Sequence, residues 1–184
     1  MSHQSESIDL QPQSPDAAMS PVIALVFLIG VPGSGKSTWA AAFQKNHTCQ
    51  LISTDRIRAE LFGDEAIQGD WGLIWAAVQQ QFQPAIQQIR AGEIEVALYD
   101  ATNTKRRYRR DLIQMARSSG FNHIRGVWLN PPLAVCLERN RHRSRQVPEA
   151  VIYRMHRQLW GAPPRLREGM DQLQYIATPG LQYD

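Results

Sequence analysis

The residues with the most chemical content stand together at 30–38, Gly30-Val31-Pro32-Gly33-Ser34-Gly35-Lys36-Ser37-Thr38. Closely spaced glycines let a backbone curl until successive N–H groups point inward at an anion. A lysine and two hydroxyls follow where a helix should begin, and a helix start adds the positive end of its dipole. Gly-x-x-x-x-Gly-Lys-Ser in this order is the spacing of a phosphate-binding P-loop. The expected ligand is ATP with Mg²⁺. Gly33, Ser34 and Gly35 would wrap the phosphates and Lys36 would reach the β- and γ-phosphates. The Ser37 hydroxyl would ligate Mg²⁺, and Thr38 would lie on the α-phosphate side.

A cradle of this kind holds a phosphoryl donor, and transfer also needs an acceptor site. Asp55, in Ser53-Thr54-Asp55-Arg56-Ile57-Arg58, falls just past a short apolar segment that reads as a strand. Ligands of open parallel sheets bind beyond the carboxyl ends of the strands. Asp55 is therefore the expected general base, with a helix N-cap as the other use of an aspartate there. Arg58 lies three residues on, on the same helix face, and is expected to hold a phosphate beside the acceptor hydroxyl.

Tyr99-Asp100-Ala101-Thr102-Asn103 follows another apolar segment. Asp100 is placed to hold Mg²⁺ through water, with a turn or cap as the alternative. Thr102 and Asn103 are expected to face the cleft. Arg139, Arg141, Arg143 and Arg145 lie between a helical segment and Pro148. They suit a lid that folds over a triphosphate and neutralises the moving group.

These residues need a frame to position them. The chain has 184 residues, which suits one domain with one core. Residues 1–20 are rich in Ser, Gln, Pro and Asp and read as a disordered tail; 21–184 reads as the P-loop kinase domain. Val22–Ile29 is a continuous apolar run, the pattern of a strand buried on both faces. It is far shorter than the about 20 residues of a membrane span.

Short strands are expected at 50–53, 94–99, 123–129 and 174–177, with helices at 36–45, 55–61, 70–90, 105–118 and 148–159 and another after Pro131-Pro132. Thr54 or Asp55 would cap the helix at 55–61. Trp71, Ile74, Trp75, Val78, Phe82, Ile86 and Ile89 make one apolar stripe along the helix at 70–90, and Pro84 is expected to kink or split it. Alternating strands and helices give an α/β fold. The expected architecture is a P-loop NTPase three-layer sandwich, with a mainly parallel five-stranded sheet and an Arg-rich lid.

The net charge is +3, and of the 20 basic residues all but Lys36, Lys45 and Lys105 are Arg. They crowd into 105–110 and 139–145. Arg pairs with phosphate through two parallel hydrogen bonds, so the clusters point to phosphate-rich ligands. For the first cluster a solvated helix face is the equal alternative. Trp128, Tyr108 and Tyr153 are candidates for stacking on bases. Cys49 and Cys136 have no second thiol at metal-ligand spacing and read as reduced, buried small hydrophobes. The cytoplasm is the expected compartment, because a nucleotide kinase needs ATP.

The stretches 33–40, 53–58, 100–103 and 139–143 with Val147-Pro148 together resemble polynucleotide 5′-hydroxyl kinases. The resemblance runs from about Val22 to Asp171. It implies that Lys36 and Ser37 hold ATP and Mg²⁺ and that Asp55 activates the 5′-hydroxyl of DNA or RNA. It further implies that Arg58 contacts the neighbouring 3′-phosphate and Thr102 lies on the acceptor side. Arg143 would contact the transferring phosphate and Arg139 would lie near the nucleotide base. The acidic residue of the third motif is displaced by one place, to Asp100. Small-molecule and nucleotide-sugar kinases share the same donor motifs, so a small hydroxyl compound is the alternative acceptor. A narrow acceptor pocket closed by the Trp71–Trp75 region would favour it. A non-kinase nucleotide-binding regulator would keep the P-loop without an acceptor carboxylate.

Overall fold

The computed structural model describes residues 21–177. The tail expected at 1–20 lies outside them, as does the end of the 21–184 domain. Five strands form one parallel sheet in the order β2-β3-β1-β4-β5. They are β1 (Ala24–Ile29), β2 (Cys49–Ser53), β3 (Val96–Asp100), β4 (His123–Leu129) and β5 (Gln172–Ile176). Because all four pairings are parallel, every strand delivers its C-terminal residue to the same edge. The register sets Ser53 beside Asp100. The Asp55 motif and Asp100 are thereby brought together from positions far apart in sequence.

The helices are α1 (Lys36–Asn46), α2 (Thr54–Phe62), α3 (Trp71–Arg90), α4 (Arg106–Ser119), α5 (Leu133–Arg141) and α6 (Glu149–Gly161), followed by a 3-10 turn at Leu166–Glu168. Successive strand side chains point to opposite faces, and two cores result. Val26, Leu28, Val96, Leu98, Val127 and Leu129 meet α1 through Ala40, Trp39 and Phe43. Leu25, Phe27, Ile29, Ala97 and Tyr99 meet the apolar faces of α3, α4, α5 and α6. This is the expected three-layer α/β sandwich.

Two local expectations change. Pro84 does not split α3, which runs unbroken for 20 residues. Pro84 and Gln80, one turn back, are both exposed, so the carbonyl left without an amide partner lies on the solvent side. The cap of α2 is neither Thr54 nor Asp55 but Ser53, whose Oγ accepts from the Arg56 amide at 3.5 Å. Asp55 falls in the first turn of the helix, free of capping duty. Both cysteines are free thiols, with Cys136 buried and Cys49 half-buried.

Candidate active site

The loop between β1 and α1 is held in shape by contacts that tolerate no side chain. Gly33 has φ +80°, and a Cβ there would lie 2.2 Å from the Cys136 carbonyl oxygen of α5. Gly35 caps α1 with φ +97°, a conformation costly to other residues. No side chain caps α1, which leaves its first N–H groups open to an anion. Ser34 is fully buried and its Oγ has no protein partner. Ser37 and Thr38 are exposed on the first turn.

Lys36 Nζ donates to the carbonyls of Gly30 at 3.0 Å and Val31 at 2.9 Å. Burial lowers its pKa; the charges of Asp100 and Asp55 act in the opposite sense, and that of Arg143 in the same sense as burial. Burial raises the Asp100 carboxyl, while Lys36 is the largest influence pulling it back down and Asp55 pushes it further up. Arg143 and Arg56 also favour the Asp100 carboxylate. Lys36 and Asp100 thus feel each other's charge, and the charges of Asp55 and Arg143 act on both.

Asp55 has a side chain 55% exposed, and its Oδ1 accepts from Arg58 Nη1 at 2.8 Å. Arg58 is far more enclosed, and its Nε is buried without a protein partner. The pair sits on α2 at the strand-end edge, where a hydroxyl can approach the carboxylate from solvent.

The loop after β3 is fastened from below. The Gly30 amide donates to the Thr102 carbonyl at 2.9 Å, joining the start of the P-loop to this loop. Asn103 does not face the cleft as expected. It is buried with φ +48°, and its side-chain amide donates to the Leu28 carbonyl at 2.6 Å. Its role is to pin the loop to β1, and Thr102 is the residue of that pair left half-exposed.

Behind the loop lies a residue that sequence reasoning assigned to a phosphate-binding or solvated cluster. Arg109 is completely buried. Its Nε and Nη2 donate to the two carboxylate oxygens of Glu168 at 2.7 and 2.8 Å. Nη1 donates to the carbonyls of Asn103 and Thr104 at 3.2 and 3.1 Å, and Nη2 to that of Ala162 at 2.8 Å. The signal was present in the spacing: 109, 112, 113 and 116 share one helix face, and the last three are Leu, Ile and Ala.

The Arg-rich segment joins α5 to α6 over the P-loop side. Its base is closed by Asn140, which is buried. The Asn140 side chain donates to the Val147 carbonyl at 2.8 Å and accepts from the Val147 amide at 2.9 Å. Nothing in the sequence marks this role, because Asn140 lies inside an arginine run. Replacing it with Ala leaves two part-buried backbone groups of Val147 without these partners. Asn140→Ala is expected to cost about 2 kcal/mol, read from the urea midpoint.

The four lid arginines divide. Arg143 and Arg139 are exposed; the charge of Arg143 reaches Lys36 and Asp100, and that of Arg139 reaches Cys136. Arg141 pairs with Glu149 at 2.8 Å and Arg145 with Glu65 at 2.8 Å. The last pair fastens the segment across the cleft to the α2–α3 connection.

No group of three or more His, Cys, Asp or Glu residues suited to a metal ion occurs among the described residues. No described helix is long and apolar enough to cross a membrane.

A parallel sheet with a P-loop after its central strand, an acidic residue ending the neighbouring strand and an arginine-rich lid define a P-loop domain of the kinase type. Residues 25–162 match the family model described as AAA domain, and the chain belongs to that family. It is similar to L-seryl-tRNA(Sec) kinase of Methanococcus maripaludis, 29% identical with 72% of this chain and 51% of the relative covered. Its fold is similar to that of a chain of the Pnkp1/Rnl/Hen1 RNA repair complex, with TM-score 0.65, 18% identity and 93% of this chain and 54% of that one covered. It is likewise similar to a gluconokinase from Sinorhizobium meliloti, with TM-score 0.54, 20% identity and coverage of 88% and 86%. The chain spans about half the length of the seryl-tRNA kinase and of the RNA-repair chain.

Proposed function

We propose that this protein is an ATP- and Mg²⁺-dependent kinase that transfers the γ-phosphate to the 5′-hydroxyl of DNA or RNA. The observation that carries this reading is the Asp55–Arg58 pair. It supplies a solvent-facing carboxylate, free of capping duty, beside a guanidinium with an unpartnered buried N–H. That is the arrangement needed for a base next to a phosphate-bearing acceptor.

The acceptor oxygen bonds to the γ-phosphorus as the bond to the ADP oxygen breaks, and the hydroxyl proton passes to the Asp55 carboxylate. Mg²⁺, when bound, neutralises charge on the β- and γ-phosphates. Ser37 and Asp100 would hold it, the latter through water. Lys36 leaves its loop carbonyls for the phosphates, the Gly33–Thr38 backbone and hydroxyls cradle them, and Arg143 stabilises the moving group. Arg139 lies toward the nucleotide base, and Arg58 and Thr102 orient the acceptor. ATP-dependent work of this kind belongs in the cytoplasm.

The test is transfer of labelled γ-phosphate to 5′-hydroxyl DNA and RNA oligonucleotides, beside a panel of small hydroxyl compounds. Label on the oligonucleotides is expected. Bound ATP with no label on any oligonucleotide would overturn the reading, and label on a small compound instead would move the protein to the metabolite kinases. In the same assay Asp100→Asn is expected to raise the Mg²⁺ concentration for half-maximal rate by about 10-fold or more, the range for losing an outer-shell carboxylate.

A further inference from the structure

At the same strand-end edge, outside the P-loop cleft, three aromatic rings stand in a row. Trp71 is the first residue of α3 and Trp75 lies one turn on. Tyr108 is in the first turn of α4. Trp71 stacks on Trp75 with ring centroids 5.8 Å apart and on Tyr108 at 5.6 Å, with interplanar angles of 30° and 25°. The stacking does not bury the row. Trp71 is 37% and Tyr108 36% exposed, whereas Ile74 on the next turn of α3 is fully buried. Together with Arg107 and Asp111 the three rings line a pocket between the two helices.

The surroundings are basic. Lys105 Nζ stands 4.9 Å from the Tyr108 ring centre. The Arg107 side chain is 87% exposed and meets only Asp111, at 3.7 Å. Arg106 and Arg110 are exposed as well. With Arg109 withdrawn into the core, these four cations remain on the surface of the first basic cluster. A helix–helix clamp made only for stability needs neither the exposure nor the cations. Partly exposed rings beside exposed cations suit an unpaired nucleobase flanked by phosphates.

The topology sets the distance from the chemistry. The chain passes from Asp100, at the end of β3, through Thr102 to Tyr108 in a few residues. α3 begins beyond the helix that carries Asp55. The aromatic row therefore lies on the acceptor side.

We propose that Trp71, Trp75 and Tyr108 form a stacking subsite for a nucleobase of single-stranded acceptor, downstream of the 5′ end, with Lys105 and Arg107 on its phosphates. This rests on the 5′-hydroxyl reading above. Of the three stacking candidates in the sequence, it selects Tyr108 and sets aside Trp128 and Tyr153. It also gives the tryptophan stripe a second duty beyond the core.

The test uses the full chain and 5′-hydroxyl octanucleotides, either intact or with one abasic site at the second, third or fourth position. For the unaltered protein, at least one abasic position is expected to raise the acceptor KM by roughly 10-fold without moving the KM for ATP. Trp71→Ala and Tyr108→Leu should raise the KM for the intact strand by a similar factor, Trp71→Phe much less. On the sensitive abasic strand the variants should add little. The abasic comparison needs no variant, so a substitution that fails to fold leaves the result readable. Oligonucleotides phosphorylated with the same KM, intact or abasic at every position, would overturn the subsite while leaving the kinase reading in place. No phosphorylation of any oligonucleotide would overturn both.

Discussion

Arg109→Met is expected to lower the stability of the domain by about 3–5 kcal/mol, the range for removing one partner of a buried ion pair. Glu168 has a side chain only 1% exposed. In the variant its carboxylate would keep only Arg106, whose Nε stands 3.9 Å away. The carbonyls of Asn103, Thr104 and Ala162 would lose their donor as well. Small domains hold roughly 5–15 kcal/mol in total, so the midpoint of thermal unfolding should fall by about 10 °C or more. An unfolding midpoint within about 2 °C of the parent would show that the hub carries no such load.

The same cluster predicts a specific rescue. Glu168→Gln alone leaves the Arg109 guanidinium without a counter-charge and should also destabilise. Arg109→Met with Glu168→Leu removes both charges, and the pair should lose much less than the sum of the single losses. The three carbonyls remain unpaired in that double variant, so recovery will be partial. Arg109 is a positioning residue in this scheme. Because it holds the segment that presents Thr102, the double variant should show a raised acceptor KM even where its stability is restored, while ATP affinity stays close to the parent. A purely structural ion pair would leave KM unmoved once the fold is secured.

Arg109 also marks the boundary of what the sequence discloses. The P-loop was legible because its chemistry is local: glycines, lysine and hydroxyls stand within nine residues, and the structure sets them between β1 and α1 with Gly35 capping the helix. Helix and strand positions were legible to within a few residues because apolar spacing decides which face is buried. β4 fell at 123–129 as expected. β1 began at Ala24 rather than Val22 because Val22 is 60% exposed, ahead of the sheet. Long-range partners were not legible. Glu168 lies 59 residues from Arg109, and an arginine in a basic run looks the same whether it meets solvent or a buried carboxylate. Asn103 was misplaced for a related reason: a polar residue past a strand end was read as facing the cleft, whereas β1 offered its amide a buried carbonyl. Asp100 shows the opposite outcome. Its motif is displaced by one place from the pattern it resembles, yet the Ser53–Asp100 register sets it at the strand-end edge beside the Asp55 motif.

Lys36→Ala and Asp55→Asn are expected to abolish most transfer by different routes, and the difference tests the division of the cleft into donor and acceptor halves. Lys36→Ala removes the cation aimed at the phosphates. It should slow transfer by roughly 100- to 1,000-fold, the range for losing one preorganised charge-stabilising donor, and weaken ATP binding as well. Burial lowers the Lys36 pKa, and the ammonium is the form that binds phosphate. The affinity for ATP should therefore decline, as pH rises, at a lower pH than an ordinary lysine would produce. In Lys36→Arg that decline should disappear, because a guanidinium stays charged. Asp55→Asn keeps the size of the side chain and removes the proton acceptor. Its ATP affinity should stay within about twofold of the parent while kcat falls by roughly 100- to 10,000-fold, the range for a general base. Arg58→Ala completes the comparison. If Asp55 served only to orient Arg58 through their 2.8 Å contact, the two variants would share one phenotype, a raised acceptor KM with kcat preserved. Loss of kcat in Asp55→Asn but not in Arg58→Ala assigns the proton to Asp55 and the acceptor phosphate to Arg58.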